Sequence, residues 1–243
     1  MSASGRNDAR AAVMARMREA LQSGRDGEAK ETVRARLAAS APTLVPARAD
    51  LDPEARIQLF IDQAKAVQAD VERIERFADL PETIADYFRR HNLPMRLVKA
   101  TDDRLDQADW NGGLLEVRAG PPEADDPVGL SAAFAGIAET GTLMLASDTD
   151  HPTTLAFLPE TAVIAVPSDR IARAYEDALH AFRQAGQPLP RSINLVTGPS
   201  RSGDIEQTLQ LGAHGPKRLL VVLVDEASGD APIADIKASA GHQ

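Results

Sequence analysis

The chain has 243 residues, of which 43% are hydrophobic, enough for one large domain or two small ones. A net charge of −9 argues against a nucleic-acid or anionic-membrane surface, and no apolar run is long enough to predict a membrane span. The absence of cysteine excludes disulfides, a thiol nucleophile and any iron–sulfur cluster held by the chain's own thiolates.

The chain begins with two Ala/Arg-rich helical patterns within residues 8–39. Their apolar side chains fall on one helical face in a segment too short to bury itself, so we expect these helices to pack on another surface. The start contains acidic residues and no apolar signal region, so we expect a cytoplasmic protein. The predicted organisation is a helical arm and linker, an α/β domain and a flexible tail, over residues 1–50, 51–230 and 231–243.

A long helical pattern follows the linker. Asp52 is placed to cap it, and Pro53 is suited to the first helical position. Apolar residues then recur at helical spacing over more than twenty residues, which predicts a single long helix containing Ile57, Phe60, Ile61, Ala64, Val67, Val71 and Ile74.

From about residue 95 the pattern changes to short apolar runs bounded by Gly, Pro, Ser or Asp. The runs MRLVKA, GLLEVRA, TLMLAS, AVIAVP, INLVTG and LLVVLV predict strands. Helical stretches alternate with them: one opens at Ser168 and ends at Gly186, and another spans SGDIEQTLQLGAHG. This alternation predicts an α/β fold with a mostly parallel sheet covered by helices on both faces. Ligands of such sheets bind beyond the carboxyl ends of strands, which favours the loops after TLMLAS and INLVTG.

The loop TGPSRSGDIE follows the run INLV and precedes a predicted helix. Gly198 lets the backbone approach a ligand closely, while Ser200, Arg201 and Ser202 offer hydroxyl and guanidinium donors. Free amides at a helix start attract anions, so this loop is a candidate site for a carboxylate or phosphate. The alternative is a well-capped helix, with Ser202 as the cap and Arg201 merely solvated.

The stretch GIAETGTLML is a second candidate. Glu139 lies beside Thr140, Gly141 and Thr142, directly before an apolar strand. A carboxylate in this position is suited to act as a general base or as an acyl nucleophile, and burial would raise its pKa toward neutrality. The alternative is that Glu139 braces the turn through hydrogen bonds to backbone amides.

Asp148, Asp150 and His151 follow the same strand and invite a metal interpretation. No second histidine stands at ligand spacing, and the segment is equally typical of a turn, so no metal site is predicted.

Three blocks in fixed order, GIAETGTLML, HPTTLAFLPETAVIAVP and GPSRSGDIEQTLQLGAHGPKRLLVVLVD, closely resemble the lactate utilization protein C family, the stand-alone form of the LUD domain. The resemblance implies a fold shared by CoA transferases, ribose-5-phosphate isomerase and glucosamine-6-phosphate deaminase. It implies a part in oxidising L-lactate to pyruvate together with two iron–sulfur partners, lactate utilization proteins A and B. The matching positions are Glu139, Thr140, Gly141, Thr142, Gly198, Ser200, Asp204 and Glu206.

The missing cysteines fit this resemblance. The sequence has no cysteine to hold an iron–sulfur cluster and no GxGxxG fingerprint to bind a dinucleotide. We therefore expect the iron–sulfur partners to carry the redox chemistry. We therefore expect a subunit that binds a small anion, with Glu139 as its candidate catalytic carboxylate. Two alternatives stay open: a non-catalytic assembly or regulatory protein of the same system, and a free-standing enzyme acting on a phosphorylated or CoA-linked acid.

Overall fold

The computed structural model describes residues 3–22, 27–38, 47–186, 189–202, 210–212, 214–229 and 233. The chain divides into two compact units, residues 1–44 and 45–243. The first unit contains helices α1 (Ala3–Gln22) and α2 (Gly27–Ala38), where the Ala/Arg-rich patterns predict helices. That this arm packs on another surface stays a prediction. No described helix is both long and apolar enough to cross a membrane.

The second unit is built on a six-stranded sheet whose strands all run parallel, in the order β1-β12-β7-β4-β2-β3. The strands are β1 (Asp70–Ile74), β2 (Arg96–Lys99), β3 (Glu116–Ala119), β4 (Val128–Ala132), β7 (Thr161–Pro167) and β12 (Arg218–Val224). Along β12, alternate residues enter the cores on the two faces of the sheet. This double burial explains the nearly continuous apolar runs and confirms the predicted α/β fold.

Two helices cover opposite faces of this sheet. Helix α4 (Leu80–His91) packs on one face through Leu80, Ile84 and Phe88. Helix α3 (Pro53–Ala66) packs on the other through Phe60 and Ala64. The Asp52 side chain accepts a hydrogen bond from the Ala55 amide, which confirms the predicted cap of α3.

A second sheet, in the order β8-β5-β6-β9, packs on the same face as α3. It contains β5 (Ala135–Ile137), β6 (Thr142–Ala146), β8 (Ile171–Ala172) and β9 (Ile193–Val196), and α5 (Tyr175–Gln184) covers its far side. Strand β6 is antiparallel to both of its neighbours. The runs TLMLAS and INLVTG therefore lie outside the parallel sheet, and the argument from parallel-strand ends does not apply to the loops that follow them.

Helix α3 is shorter than predicted. It ends at Ala66, and Gln68 takes a left-handed conformation with φ of 67°. The Ala69 amide then donates to the Ala64 carbonyl, which closes the helix end before β1 begins. The prediction that Val71 continues the helix is wrong, because Asp70–Ile74 pairs with β12 as an edge strand.

The helix predicted to start at Ser168 begins seven residues later. Residues Ser168–Arg170 form a short 3-10 turn, and Ile171–Ala172 pairs with β5. The predicted cap at Ser168 is therefore wrong: α5 starts at Tyr175 with no side-chain cap. Gly186 has φ of 66°, as expected for a residue just past a helix end.

Candidate functional site

The turn between β5 and β6 is fixed against the last turn of α3. Gly141 has φ of 66°, and a Cβ built on it would lie 2.3 Å from the Ala64 backbone nitrogen. Gly198 has φ of 75°, and its Cβ would lie 2.5 Å from the Val67 carbonyl oxygen. Both motif blocks therefore need glycine to approach the same helix end.

Four hydroxyl groups join the two predicted blocks. Thr142 Oγ1 lies 2.7 Å from Thr140 Oγ1 and 2.7 Å from Thr197 Oγ1. The Tyr175 hydroxyl, from the start of α5, lies 3.0 Å from both Thr140 Oγ1 and Thr142 Oγ1. Thr142 is fully buried, whereas Thr197 is exposed. We call these four residues the hydroxyl cluster.

Glu139 directly precedes Thr140 of this cluster and contacts two arginines, Arg48 through its side chain and Arg173 through its backbone amide. Its side chain is 13% exposed and lies 3.5 Å from Nη2 of Arg48, whose side chain is 54% exposed. The Glu139 amide donates to the Arg173 carbonyl, and the Arg173 guanidinium donates to Asp177 at 2.8 Å. A carboxylate next to Thr140 in the chain thus pairs with an exposed guanidinium, and we call this pair the rim of the hydroxyl cluster. Sequence reasoning missed Arg48, because it lies in the linker pattern more than ninety positions from Glu139.

The described contacts of the rest of the second block are made within its own loop. Ser200 Oγ accepts from the His214 amide at 3.3 Å, which ties this hydroxyl to its own loop. Arg201–Ser202 forms β10, antiparallel to β11 (Gln210–Leu211), so the predicted helix is wrong at residues 210–211. The helix start that Ser202 was predicted to cap falls on residues 203–209, outside the described residues.

A second polar group lies at the carboxyl edge of the parallel sheet. After β2 the chain moves outward to β3, while after β4 it moves the other way, through the second sheet to β7. The adjacent strands β2 and β4 therefore flank the topological switch point, the position where open α/β sheets most often bind ligands.

Three loops meet at this position. Arg104, just after β2, donates to Asp102 through Nη2 at 2.6 Å and to the Ala133 carbonyl, just after β4, at 3.3 Å. His151 Nε2 lies 2.7 Å from Asp102 Oδ2, and its Nδ1 lies 2.8 Å from Asp148 Oδ1. We call Asp102, Arg104, Asp148 and His151 the switch-point cluster.

Contacts within the switch-point cluster shift the pKa values of three of its side chains. Hydrogen bonding to Asp102 raises the pKa of His151 above its usual value, and burial opposes this only in part. Burial favours a higher pKa for Asp102, but hydrogen bonds from His151 and Arg104 outweigh it and hold that pKa well below the usual value. The pKa of Asp148 is also lowered, because the effect of burial, which raises it, is outweighed by hydrogen bonds from His151. The structure thus favours a charged imidazolium between two carboxylates.

Asp150, the third member of the proposed metal interpretation, accepts from Thr101 Oγ1 at 3.1 Å and so joins the loop after β2. Within the described residues, no group of three or more His, Asp or Glu side chains is placed to hold a metal ion.

Comparison with known proteins finds a matching domain and several similar proteins. Residues 124–224 match the LUD domain, a range that contains the Glu139 block, the switch-point residues Asp148 and His151, and most of the second block. The chain is 34% identical over 99 residues to lactate utilization protein C of Anoxybacillus flavithermus, which covers 41% of this chain and 44% of that protein. It is 28% identical over 184 residues to lactate utilization protein C 1 of Bacillus mycoides, covering 69% of this chain and 78% of the relative.

A solved structure supports the fold. The crystal structure of a DUF162 family protein from Deinococcus radiodurans superimposes with a TM-score of 0.52 at 20% identity, covering 72% of this chain and 99% of that one. The alignments span less than half the length of several curated relatives. Residues 124–224 thus match the LUD domain, and the resemblance to lactate utilization protein C that the motifs indicated is confirmed.

Proposed function

We propose that this protein is a subunit of an L-lactate utilization system and binds a small carboxylate, while iron–sulfur partner proteins carry the electrons. The proposal is supported by the several similar proteins named lactate utilization protein C. A chain without cysteine needs partners to supply thiolate-bound clusters. The two expected partners are the iron–sulfur lactate utilization proteins A and B.

The observation that carries the binding site is the Glu139–Arg48 pair at the rim of the hydroxyl cluster. A 2-hydroxy acid has a carboxylate, to which a guanidinium can donate hydrogen bonds. It also has a hydroxyl group, which can donate a hydrogen bond to a carboxylate of the protein. Arg48 is exposed enough to meet the first group, and Glu139 is held where it can accept the second. Thr140, the next residue in the chain, and its partner Tyr175 carry further hydroxyls.

A second candidate function is assembly without ligand binding. Its support is that the hydroxyls of Thr140, Thr142 and Tyr175 already bond one another, as in a packed junction between strands and helix. The two functions make different demands on Arg48 and Glu139. Ligand binding needs the guanidinium and the carboxylate to contact the ligand, whereas an assembly role needs neither group.

The experiment measures L-lactate binding by calorimetry and growth on L-lactate as sole carbon source. Arg48→Ala should weaken binding by at least about tenfold, since a hydrogen bond to a charged group contributes about 1.5–3 kcal/mol. Glu139→Gln should keep the fold and abolish growth. The matched control is Arg76→Ala, which removes an equally exposed arginine from its pair with Asp79.

Ser200→Ala and Arg201→Ala test the second block in the same assays. Weakened L-lactate binding in either variant would place the ligand at that loop rather than at Glu139. If wild-type protein binds no L-lactate, alone or with its partners, while both the Arg48 and Glu139 variants support growth, the assembly role is correct.

A further inference from the structure

The switch-point cluster is separate from the site proposed above. The hydroxyl cluster lies at the turn of the β5–β6 hairpin, whereas the switch-point cluster lies at its open end, between Phe134 and residues 147–152. The loops there are tied together in the described structure: the Thr101 amide donates to the Asp150 carbonyl at 3.2 Å, and Thr101 Oγ1 donates to the Asp150 carboxylate. These bonds hold the loop that carries His151 against the loop after β2.

The buried part of the switch-point cluster carries an excess positive charge. Asp102 is only 4% exposed and faces two cationic groups, Arg104 at 21% and the His151 imidazolium at 26%. One carboxylate cannot neutralise two cations. The remaining charge is met by Asp148, whose side chain is 55% exposed.

Asp148 occupies a position that a soluble carboxylate can take. Its Oδ1 accepts from three groups, the Asp150 amide, the His151 amide and His151 Nδ1, all at 2.8 Å. The two amides only need a neutral oxygen, as an asparagine side chain would provide. The charged contact to His151 is the one for which an external anion competes. Arg104 uses three of its five N–H groups on Asp102 and the Ala133 carbonyl, which leaves two N–H groups of the guanidinium for other acceptors.

We propose that the switch-point cluster binds a small carboxylate whose oxygen replaces Asp148 on His151 Nδ1. This site is independent of the Arg48–Glu139 site. The charged groups in contact with the His151 ring are Asp102, from the loop after β2, and Asp148, from its own loop. Arg104 contacts Asp102, and the Asp150 carboxylate accepts from Thr101. The bound anion requires the imidazolium form of His151.

The test follows the His151 ring by NMR while acetate is added, with phosphate as a second probe. The chain has five histidines, so His151→Gln assigns the ring signal by its loss. Acetate should shift this signal in wild-type protein. Asp148→Asn leaves a neutral oxygen on both turn amides and on His151 Nδ1, and a neutral oxygen competes with acetate less well than a carboxylate does. Acetate affinity should therefore rise about fivefold, the factor for an exposed ion pair of about 1 kcal/mol.

Two further measurements fix the assignment. Calorimetry should show that His151→Gln binds acetate at least about fivefold more weakly than wild type, and that wild-type affinity falls as the pH rises through the pKa of His151. Arg48→Ala should leave the acetate-induced shift at His151 unchanged. The proposal is overturned if Asp148→Asn does not bind acetate more tightly, if a folded His151→Gln protein binds it as wild type does, or if phosphate alone shifts the ring. Loss of L-lactate binding in Arg48→Ala with an unchanged His151 response would separate the two sites.

Discussion

The two ends of the β5–β6 hairpin are built from different kinds of side chain. At the turn, three threonines and a tyrosine satisfy one another around the buried Thr142, and the charged pair Arg48–Glu139 is on the rim. At the open end, roughly 17 Å along β6, the contacts are charged and centre on the nearly inaccessible Asp102. Ligand binding at the turn therefore depends on rim charges, while binding at the open end depends on displacing an internal carboxylate.

The difference predicts that removing the carboxylate at the open end lowers the stability of the fold far more than removing the carboxylate at the turn. Asp102→Asn should destabilise the protein by roughly 3–5 kcal/mol, because the largely buried Arg104 would lose its carboxylate and His151 would keep only Asp148. Glu139→Gln should cost at most about 1 kcal/mol, since its partner Arg48 is mostly exposed. Urea unfolding midpoints of the two variants measure this directly. Equal losses would mean that the two ends do not differ in the way their charges are held.

The turn should instead be sensitive to backbone packing. Gly141→Ala adds a Cβ that meets the backbone of α3, on top of the cost of a left-handed alanine, for a total of roughly 2–5 kcal/mol. Gly186→Ala is the matched control: its φ is also 66°, but no described atom lies within 4 Å of the new Cβ. It should lose only about 1–2 kcal/mol. If the two variants have the same urea midpoint, the close approach of the turn to α3 contributes nothing.

Sequence reasoning found the turn because its signal is contiguous. Glu139, Thr140, Gly141 and Thr142 stand together in one motif, and Gly141 adopts a positive φ at the turn. The switch-point cluster had no such motif, because Asp102 and His151 are 49 positions apart. Asp102 and Arg104 do follow the predicted strand MRLVKA closely. The rule on parallel-strand ends would have pointed to them once the strand order was known.

The fold errors have similar causes. The alternation of strands and helices was enough to predict the α/β class, since period-two and period-3.6 patterns are local. The end of α3 was missed because Gln68, rather than glycine or asparagine, takes the left-handed position, so the sequence contains no stop signal. The second sheet was missed because buried antiparallel β6 has the same continuous apolar composition as a parallel strand. Strand direction is set by pairing, which one strand's composition does not encode.

The hydroxyl cluster can be tested separately from the glycine. Thr142→Val keeps the side-chain shape and removes the hydroxyl that bonds Thr140, Tyr175 and Thr197, which should cost about 1–2 kcal/mol. Thr197→Val is the control, because Thr197 is exposed and water can replace its partner; we expect a change below about 0.5 kcal/mol. Thermal unfolding of both variants decides whether the turn is held by its buried hydroxyl. A neutral Thr142→Val would assign that role to packing alone.

The smallest predicted effect is a change in stability with pH that only the open end should produce. The pKa of His151 is raised in the folded protein by hydrogen bonding to Asp102, so the imidazolium stabilises the fold fully below the pKa of unfolded histidine, about 6.5. That contribution is lost as the pH rises through the higher folded pKa. Wild-type urea midpoints should therefore fall over this range, and His151→Gln should lack this part of the fall. His180→Gln, which removes an exposed histidine of α5, should keep the wild-type slope. If His151→Gln and wild type have parallel curves, the imidazolium is not held between the two carboxylates, and the charge argument for anion binding at the open end loses its basis.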